Sequence, residues 1–458
     1  MRVVICGAGQ VGYGIAERLA AEQHDVSVID TQPQLVQAVR DTLDVRAIVG
    51  NGAHPDVLAE AGVEGADMIV AVTLNDEVNM IACQVAHSLF SVPTKIARIR
   101  SRAYREAHWS NLFSNENLPI DVIISPEVEV GEMVVRRLEL PGAVDIVRFA
   151  DDKVVVVGVE CKQDCPVVDT PLDQLSELFP DLDAVVVGIF RNGVHHVPHS
   201  EDFMLAGDLV YVVANADHIR RTLSVFGHEE QEATRVVIAG GGNIGFYVAS
   251  ALERRKARTN VKVIEPSRER AAAIADQLRS TIVLNGSALN REILREADIE
   301  ETDTLVAVTN DDKINLLACV MAKRLGAKRT LTLVNDPSFG GLTSRLDIDA
   351  VVNPRAVTVS RVLQHVRRGR VRAVYSIGNG EAEVLEAEAL ETSPLVGRPL
   401  RDLDLPDGIR IGAIYRGGKV LMPKGGLVVQ AKDRVILYAA AERVRAVEQM
   451  FRVSLEFF

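Results

Sequence analysis

The sequence has few aromatic residues, few cysteines and no excess of basic charge. Phe, Trp and Tyr make up 4% of the 458 residues, so the core must be built mainly from aliphatic side chains. Five cysteines are too few for a disulfide scaffold in a chain of this length. Lys and Arg number 51 against 63 Asp and Glu, a net charge of −12. This balance argues against a nucleic-acid binder, which usually carries a basic face.

Long apolar runs are also lacking. Runs such as Met68–Leu74 are far shorter than the ~20 residues that span a bilayer. The first strand, Arg2–Cys6, leads directly into a glycine loop without the cleavage site of a signal peptide. We therefore predict a cytoplasmic protein that does not insert into the membrane itself. At roughly 150 residues per domain, its length predicts about three domains.

An internal repeat is the most informative feature of the sequence. Val3–Gly12 (VVICGAGQVG) returns as Val236–Gly245 (VVIAGGGNIG), and Asn79–Cys83 (NMIAC) returns as Asn315–Cys319 (NLLAC). Further segments between these return in the same order. The chain therefore consists of two copies of one unit.

Each copy is predicted to contain two lobes. The first, at 1–138 and 233–368, alternates short apolar strands with helical stretches, which favours a Rossmann-like, doubly wound parallel α/β sheet. The second, at 139–225 and 369–458, is β-rich and reads as a small α+β lobe. The predicted fold is thus two tandem repeats, each a Rossmann-like lobe followed by a small α+β lobe.

A helical segment joins the two lobes of each copy, at Pro126–Leu140 and at Pro354–Arg368. Apolar residues recur in both segments at helical spacing. Two interpretations remain open: a packing helix within its own domain, or a helix that crosses to a neighbouring subunit. A small lobe need not cover all of this apolar surface, and symmetric assembly would bury the rest. We therefore predict a homo-oligomer formed through the glycine lobes.

The first glycine loop has the form that binds dinucleotides. Gly7-Ala-Gly9-Gln-Val-Gly12 follows a strand and opens a helix, the context that makes GxGxxG informative. Gly7 permits the tight turn, Gly9 lets backbone N–H groups approach a pyrophosphate, and Gly12 lets the helix pack on the strand. Asp30, at the end of the next strand, is placed to accept hydrogen bonds from ribose hydroxyls. An acid here also repels a 2′-phosphate, which favours NAD(H) over NADP(H).

The second copy repeats this pattern with Gly240, Gly242, Gly245 and the acid Glu265. Two copies in register predict nucleotide binding in at least one of them. The alternative for the second copy is a loop retained only as a turn that holds the fold.

Further candidates follow the later strands, because ligands bind at the carboxyl ends of strands in open α/β sheets. Arg98 and Arg100 flank the fifth strand and are expected to reach a phosphate or to form a surface ion pair. Asn79 and Asn315 are expected either to line the sites or to cap their helices. The predicted nucleotide-binding residues are Gly7, Ala8, Gly9, Gln10, Val11, Gly12, Asp30, Thr31, Asn51, Gly52, Ala53, Thr73, Leu74, Asn75, Arg98 and Arg100 in the first copy, and Gly240, Gly242, Asn243, Ile244, Gly245, Glu265, Asn285, Gly286, Thr309 and Asn310 in the second.

Residues for catalysis or for a metal are not evident. Cys161 and Cys165 would be half of a metal site, but no second Cys/His pair follows at ligand spacing. The His195-His196 pair has no counterpart in the second copy and reads as part of a polar hairpin. A dehydrogenase also needs an acid–base group beside the nicotinamide. We predict no catalytic residue and no metal site.

A Rossmann-like lobe with GxGxxG and an acid, then a linking helix and a small β-rich lobe, all of it repeated, is a layout that resembles the regulator of potassium conductance (RCK, or KTN) family over essentially the whole chain. The marks are Gly7–Gly12, the run Val72–Asn79, Ala97–Arg100 and the pattern from Leu400 to Asp433. The two-copy layout is similar to that of regulatory subunits of Trk-type potassium uptake systems. The resemblance implies a cytosolic tetrameric ring beneath a membrane potassium-translocating subunit. It also implies gating by NAD(H), and by ADP or ATP, bound to the glycine lobes.

Two departures from the family pattern affect the ligands. ATP-preferring relatives often carry an arginine inside the glycine loop, where this chain has Gln10 and Asn243. The second copy has Leu333 and Asn335 where the first has arginines, so we expect the two sites to be unequal. The alternative functions are an NAD-dependent oxidoreductase and a nucleotide-sensing regulator of another transporter, such as a cation/proton antiporter.

Overall fold

The computed structural model describes residues 1–179, 181–255, 259–366, 371–377 and 381–451. The chain divides into two compact units. One unit is formed by Met1–Glu132 and Arg235–His365, and the other by Met133–Thr234 and Val366–Phe458. The first unit therefore holds both glycine lobes, and the second holds both small lobes.

The first glycine lobe is a parallel six-stranded sheet with helices in its connections. Its elements are β1 (Arg2–Cys6), α1 (Gln10–Ala21), β2 (Asp25–Asp30), α2 (Pro33–Thr42), β3 (Arg46–Val49), α3 (Pro55–Glu60), β4 (Met68–Ala71), α4 (Asp76–Phe90), β5 (Thr94–Arg98) and β6 (Val122–Ile124). The strand order is β3-β2-β1-β4-β5-β6. The winding direction changes between β1 and β4, and this switch point is where such sheets bind ligands.

The first small lobe follows the linking helix α5 (Pro126–Glu139). Its elements are β7 (Ala143–Phe149), β8 (Val154–Glu160), α6 (Leu172–Leu178), β9 (Ala184–Arg191), β10 (Val194–His196), β11 (Leu209–Asn215) and α7 (Ile219–Val225). The strands form an antiparallel sheet in the order β10-β9-β11-β8-β7. The guanidinium of Arg191 pairs with the buried carboxylate of Asp208 at 2.7 Å and so ties two neighbouring strands together.

The second glycine lobe repeats the first. Its elements are β12 (Arg235–Ala239), α8 (Asn243–Glu253), β13 (Asn260–Glu265), α9 (Arg268–Ala275), β14 (Ile282–Asn285), α10 (Arg291–Glu296), β15 (Thr304–Ala307), α11 (Asp312–Arg324), β16 (Arg329–Leu333), α12 (Gly340–Thr343) and β17 (Ala350–Val352). The parallel strands lie in the order β14-β13-β12-β15-β16-β17, the same topology as in the first lobe.

The second small lobe follows the linking helix α13 (Pro354–Val366). Its elements are β18 (Val371–Ile377), β19 (Ala382–Glu388), β20 (Ile409–Arg416), β21 (Lys419–Leu421), β22 (Arg434–Ala440) and α14 (Val444–Met450). The sheet order is β18-β19-β22-β20-β21, and Arg416 pairs with Asp433 at 2.6 Å as the corresponding residues do in the first small lobe. The predicted fold of two tandem repeats, each with an α/β and a small lobe, is confirmed.

The linking helices bury part of their apolar surface within the chain. The apolar side chains of Val130 and Val134 in α5, and of Val362 in α13, are fully buried within the chain itself. Val128 and Val359 are only half-buried, so the expectation that these helices leave apolar surface for a neighbouring subunit stays a prediction. The helices end at Glu139 and Val366. The predicted end of the second helix, Arg368, lies outside the described residues.

Each linking helix contacts the glycine lobe of the other repeat. A Cβ atom on Gly131 of α5 would lie 2.3 Å from Cδ1 of Tyr247 in α8, so glycine is needed for this close approach. In α13, the guanidinium of Arg355 pairs with Glu17 of α1 at 3.3 Å. The two glycine lobes are therefore joined by reciprocal helix contacts inside one chain, which neither interpretation of the sequence had proposed.

Candidate functional site

The three glycines of the first loop have different roles in the structure. Gly7 has a φ of +113° and its N–H donates to the carbonyl of Ile29 at 2.7 Å, which makes the tight turn after β1. A Cβ atom on Gly12 would lie 1.8 Å from the carbonyl oxygen of Gly7, so the packing of α1 on β1 excludes any side chain there.

Gly9 is different, because nothing in the fold requires it to be glycine. Its φ of −64° and ψ of −177° are open to any residue, and a Cβ atom would meet no atom within 4 Å. Gly9 is also the N-cap of α1 and offers no side chain to the first backbone N–H groups of that helix. An uncapped helix N-terminus beside open space is suited to bind a phosphate group.

Asp30 ties the glycine loop to the end of β2. One carboxylate oxygen accepts from the backbone N–H of Ala8 at 2.7 Å, and the other accepts from the N–H of Gln32 at 2.8 Å. A carboxylate has about four acceptor positions, so two such bonds leave capacity for the hydroxyls of a ribose. Asp30 therefore supports the loop and is still able to bind a nucleotide.

The ends of β4 and β5 are joined by a network around Asn79. Its amide oxygen accepts from the backbone N–H of Thr73 at 2.9 Å and from the hydroxyl of Thr73 at 2.7 Å. Its amide nitrogen donates to the carbonyl of Arg98 at 2.9 Å. The expectation that Asn79 caps α4 is wrong, because the N-cap is Asn75, which accepts from the N–H of Val78. Asn79 instead fixes the spacing of two strand ends at the site.

Arg98 is half-buried at the end of β5, and its Nε is a buried donor without a hydrogen-bond partner. Burial, followed by the nearby charge of Arg100, lowers the pKa of Arg98. A cationic side chain with a donor that has no hydrogen-bond partner favours an anionic ligand. Arg100 is in a different position, because its Nε donates to the carboxylate of Glu127 at 2.7 Å. Of the two arginines, Arg98 is therefore the better placed for a phosphate.

These groups surround a cavity of about 550 Å³ beside the first glycine loop. Of the predicted residues, those that line it are Gly7, Gly9, Gln10, Val11, Asp30, Thr31, Asn51, Gly52, Thr73, Leu74, Asn75 and Arg98. Ala8, Gly12, Ala53 and Arg100 do not line it, although Ala8 and Gly12 shape the loop and Ala53 donates its N–H to Asn51 at 3.0 Å. The sequence therefore anticipated about half of the lining, all of it from the first repeat.

The second repeat supplies lining residues that sequence reasoning missed. Asn335, Pro354, Arg355 and Thr358 all contribute to the cavity of the first repeat. Nothing in the repeat pattern indicates this, because it depends on how the two glycine lobes pack together. Other missed residues are Ile29, Gln32, Leu35, Gly50, Val72, Val78 and Pro126. Most of these adjoin the carboxyl ends of strands, so a broader application of that rule would have found them.

The second glycine loop has the same backbone geometry. Gly240 has a φ of +109°, and a Cβ atom on Gly245 would lie 1.9 Å from the Gly240 carbonyl oxygen. Gly242, like its counterpart, has no atom within 4 Å of a Cβ position. Glu265 accepts from the N–H of Gly241 at 2.8 Å and from that of Ser267 at 2.9 Å. The longer glutamate thus reaches the same two positions as Asp30 does.

The charged groups around the second loop differ from those around the first. Arg270, the third residue of α9, donates from Nε to the carbonyl of Gly241 at 2.8 Å. Its counterpart in α2 is the apolar Leu35, which lines the first cavity. Arg102 and Arg270 also lie 5.4 Å and 5.9 Å from the ring of Phe246. Two arginines therefore lie near the second loop, Arg270 from the second repeat and Arg102 from the first, and neither was among the predicted site residues.

The remaining predicted residues of the second site are distributed around this loop. Asn285 donates to the carbonyls of Glu265 and Pro266 at 2.9 Å and 3.1 Å, and Thr309 bonds to Asn315 as its counterpart does. The N-cap of α11 is Asp311, so the expectation that Asn315 caps this helix is also wrong. Gly286 packs against Ile293. Ile244 is half-buried, whereas Asn243 and Asn310 are exposed.

The cysteine and histidine candidates lie in the small lobes. Cys161 and Cys165 are buried in an apolar core, and burial raises the pKa of the Cys161 thiol. Within the described ranges, no cluster of three His, Cys, Asp or Glu side chains is arranged to hold a metal ion. His195 contacts the hydroxyl of Tyr438, and burial lowers its pKa to about 4. In the same part of the chain, no helix is both long and apolar enough to span a membrane.

Comparison with known proteins agrees with this fold. The TrkA-N domain model matches residues 3–126 and 236–354, and the TrkA-C domain model matches residues 156–227 and 384–452. The Trk system potassium uptake protein TrkA of Azorhizobium caulinodans is 60% identical over 458 residues, which is all of both chains. That of Halomonas elongata is 42% identical over 462 residues and also covers both chains fully. The chain belongs to the TrkA family.

Solved structures give the same fold at low sequence identity. The RCK domain of GsuK has a TM-score of 0.61 at 16% identity, covering 98% of this chain and 94% of that one. The GsuK channel bound to NAD has a TM-score of 0.60 at 17% identity, covering 98% and 78%. Together with the family models, these matches confirm the RCK resemblance inferred from the sequence motifs.

Proposed function

We propose that the chain is a nucleotide-sensing regulatory subunit of a Trk-type potassium uptake system. The first glycine lobe binds NAD(H), and ADP or ATP are further ligands. The observation that carries this proposal is the cavity lined both by Gly9, which the fold does not require to be glycine, and by Arg98, whose Nε has no hydrogen-bond partner. The relatives named as potassium uptake proteins, and the structural neighbour bound to NAD, support it.

The same cavity supports a role in sensing and not in catalysis. The ionisable side chains among its lining residues are Asp30, Arg98 and Arg355. Asp30 already accepts two backbone N–H groups, and arginine does not exchange protons near neutral pH. Hydride transfer to a substrate usually needs a nearby acid–base group. We therefore propose that a bound nucleotide is recognised and released unchanged.

Binding in this cavity provides a way to control a partner. The lining comes from both repeats, so a ligand contacts both glycine lobes at once. A ligand shifts a conformational equilibrium only through different affinities for the two states. A nucleotide that fits one arrangement of the lobes better would favour that arrangement, and the membrane potassium-translocating subunit would respond to it.

We also propose that the chain acts as a homo-oligomer, a tetramer by analogy with the family, at the inner face of the membrane. Ile81 of α4 and Leu317 of α11 occupy the same position in the two repeats and are 45% and 53% exposed. Leu89 of α4 is 62% exposed. Exposed apolar residues at equivalent positions are suited to a symmetric interface. Sedimentation showing a ~50 kDa monomer at micromolar concentration would contradict this.

Potassium uptake in cells provides the test of the main proposal. Deletion of the gene should change potassium flux, the intact chain should restore it, and an Asp30→Ala chain should restore less because its nucleotide response is lost. Unchanged flux after deletion would contradict the role in potassium uptake. Titration of the purified chain with NADH tests binding separately. A change in absorbance at 340 nm with any of a panel of metabolites would instead favour an oxidoreductase.

A further inference from the structure

Arg355 belongs to the second repeat but lines the nucleotide cavity of the first. It is the second residue of α13, and α1 of the first repeat holds its side chain in place. One guanidinium nitrogen lies 3.3 Å from the carboxylate of Glu17, and Cζ lies 5.5 Å from the centre of the Tyr13 ring. A Cβ atom on Gly14 would lie 2.9 Å from Nε, so the bare backbone of α1 makes room for the guanidinium.

The ion pair between Arg355 and Glu17 is weak enough for Arg355 to bind a ligand instead. Its side chain is 24% exposed, and that of Glu17 is 54% exposed. An ion pair with a partner this exposed contributes little, because water screens it. A phosphate inside the cavity is less hydrated and forms stronger, charge-assisted hydrogen bonds with arginine. An anionic ligand should therefore draw Arg355 away from Glu17.

The repeats differ at this position. The second residue of the other linking helix is Glu127, which carries the opposite charge and pairs with Arg100 at 2.7 Å. The cavity of the first repeat thus contains two cationic side chains, Arg98 from its own β5 and Arg355 from the other repeat. The N-terminus of α1 provides for one phosphate. Arg98 and Arg355 therefore provide more positive charge than one phosphate group requires, which favours a ligand with a second phosphate.

We propose that Arg355 is a phosphate-contacting residue of the first nucleotide site and selects ligands with two or more phosphates. This inference rests on the proposed function, because it assumes that the cavity binds a nucleotide. A residue of the second repeat then contacts the ligand that is bound in the first repeat. Occupancy of the site then depends on where α13 lies, and a bound polyphosphate or dinucleotide pulls α13 toward the first glycine loop.

The test compares AMP, ADP and NADH by calorimetric titration of the full chain. The first-repeat phase is defined as the one that Asp30→Ala removes and Glu265→Ala leaves. Arg355→Gln should weaken ADP and NADH in that phase about ten- to a hundredfold, the effect of losing one charge-assisted hydrogen bond. AMP should weaken by less than about threefold, because its single phosphate stays at the helix N-terminus.

Two variants separate recognition of phosphate from packing. Arg361→Gln is the matched control, since Arg361 lies on the same helix and pairs with Glu129 at 3.2 Å outside the cavity lining. It should leave all three affinities unchanged. Glu17→Gln breaks the same ion pair as Arg355→Gln but keeps the cation, so ADP should bind as well as before or more tightly.

Three results would overturn the inference: Arg355→Gln binding like Arg361→Gln, an equal loss for AMP and ADP, or a loss in Glu17→Gln that matches the one in Arg355→Gln. The last would show that the ion pair only holds the lobes together. If the unmodified chain bound none of the three nucleotides, the proposed function itself would fail. If it bound them normally and Arg355→Gln changed nothing, this inference alone would fail.

Discussion

The two glycine lobes share one backbone design but differ in the charges placed around it. In both, the acid at the end of the second strand accepts from the glycine loop, at 2.7 Å in the first lobe and 2.8 Å in the second. In both, an asparagine of the fourth helix, Asn79 or Asn315, joins two strand ends. At the end of the fifth strand, however, Arg98 faces the cavity, whereas Leu333 is 2% exposed and apolar.

The comparison distinguishes contacts that stabilise the fold from side chains that are available to bind a ligand. The repeated contacts pair groups that would otherwise be buried unsatisfied, so both lobes must keep them to fold. The residues that differ include Leu35 and Arg270 at equivalent helix positions, and only Arg270 makes a further bond to its loop, at the carbonyl of Gly241. The two copies therefore share the contacts that hold the backbone in place, but they have different cations around their glycine loops.

The largest expected effect distinguishes the two acids. Asp30→Ala should remove most NAD(H) binding, at least a hundredfold in affinity, because it loses both the ribose acceptor and the bond that holds the loop. Glu265→Ala should remove only a weaker second phase. Isothermal titration with NADH measures both, and Asp25→Ala, at the exposed start of β2, is the control. If Glu265→Ala abolished the tighter phase while Asp30→Ala spared it, the order of the two sites would be reversed.

Substitution of two glycines in the first loop should have different effects, one on folding stability and the other on nucleotide binding. Gly12→Ala places a Cβ atom 1.8 Å from the Gly7 carbonyl oxygen and should cost about 3 kcal/mol of unfolding free energy or more. Gly9→Ala meets no atom in the fold and should leave thermal stability unchanged while weakening nucleotide binding, because the new methyl group occupies the space of the phosphate.

Thermal unfolding and NADH titration of the two glycine variants distinguish these effects. Gly245→Ala should behave like Gly12→Ala, since its Cβ atom would lie 1.9 Å from the equivalent carbonyl oxygen. A stable Gly12→Ala chain, or a Gly9→Ala chain with unaltered binding, would contradict the roles given to these residues.

Replacing Arg98 by the residue of the second repeat should make the first site more like the second. Arg98→Leu loses a cationic side chain from the cavity lining and should lower NADH affinity about tenfold or more. The remaining affinity should also fall less steeply with salt, since fewer charges contribute. Titrations between low and high salt measure both effects. Arg100→Leu is the control, and an equal loss there would show that Arg100 also acts on the ligand.

The smallest expected effect concerns the small lobes, where His195 corresponds to Val420 of the second repeat. Burial lowers the pKa of His195 from an ordinary 6.5 to about 4. Between these values the unfolded chain binds a proton that the folded chain does not, so stability falls as the pH drops from 6.5 toward 4.

His195→Gln should remove this part of the pH dependence while leaving stability near pH 7.5 less affected. Urea unfolding at several pH values compares it with the intact chain, and His199→Gln, at an exposed position nearby, is the control. An unchanged pH profile in His195→Gln would show that other groups carry the acid sensitivity.

The fold class, the repeat and the positions of the glycine loops can all be predicted from the amino-acid sequence. These depend on local rules: alternation of strands and helices fixes a parallel sheet, and the spacing of Gly7, Gly9 and Gly12 is set by one turn and one helix. Asp30 was found for the same reason, because the end of the neighbouring strand must lie beside the loop. These short patterns are not accidental, since each occurs twice in the same order.

Which cations reach which site depends instead on the packing of distant segments. Arg355 lies more than three hundred residues from the loop it faces, and no spacing rule connects them. Arg100 looked equivalent to Arg98 in the sequence, but its side chain is held by Glu127, and Asn79 bridges two strands where a helix cap was expected. A side chain's partner depends on which segments pack together, and that packing is a property of the whole folded chain and not of any local pattern.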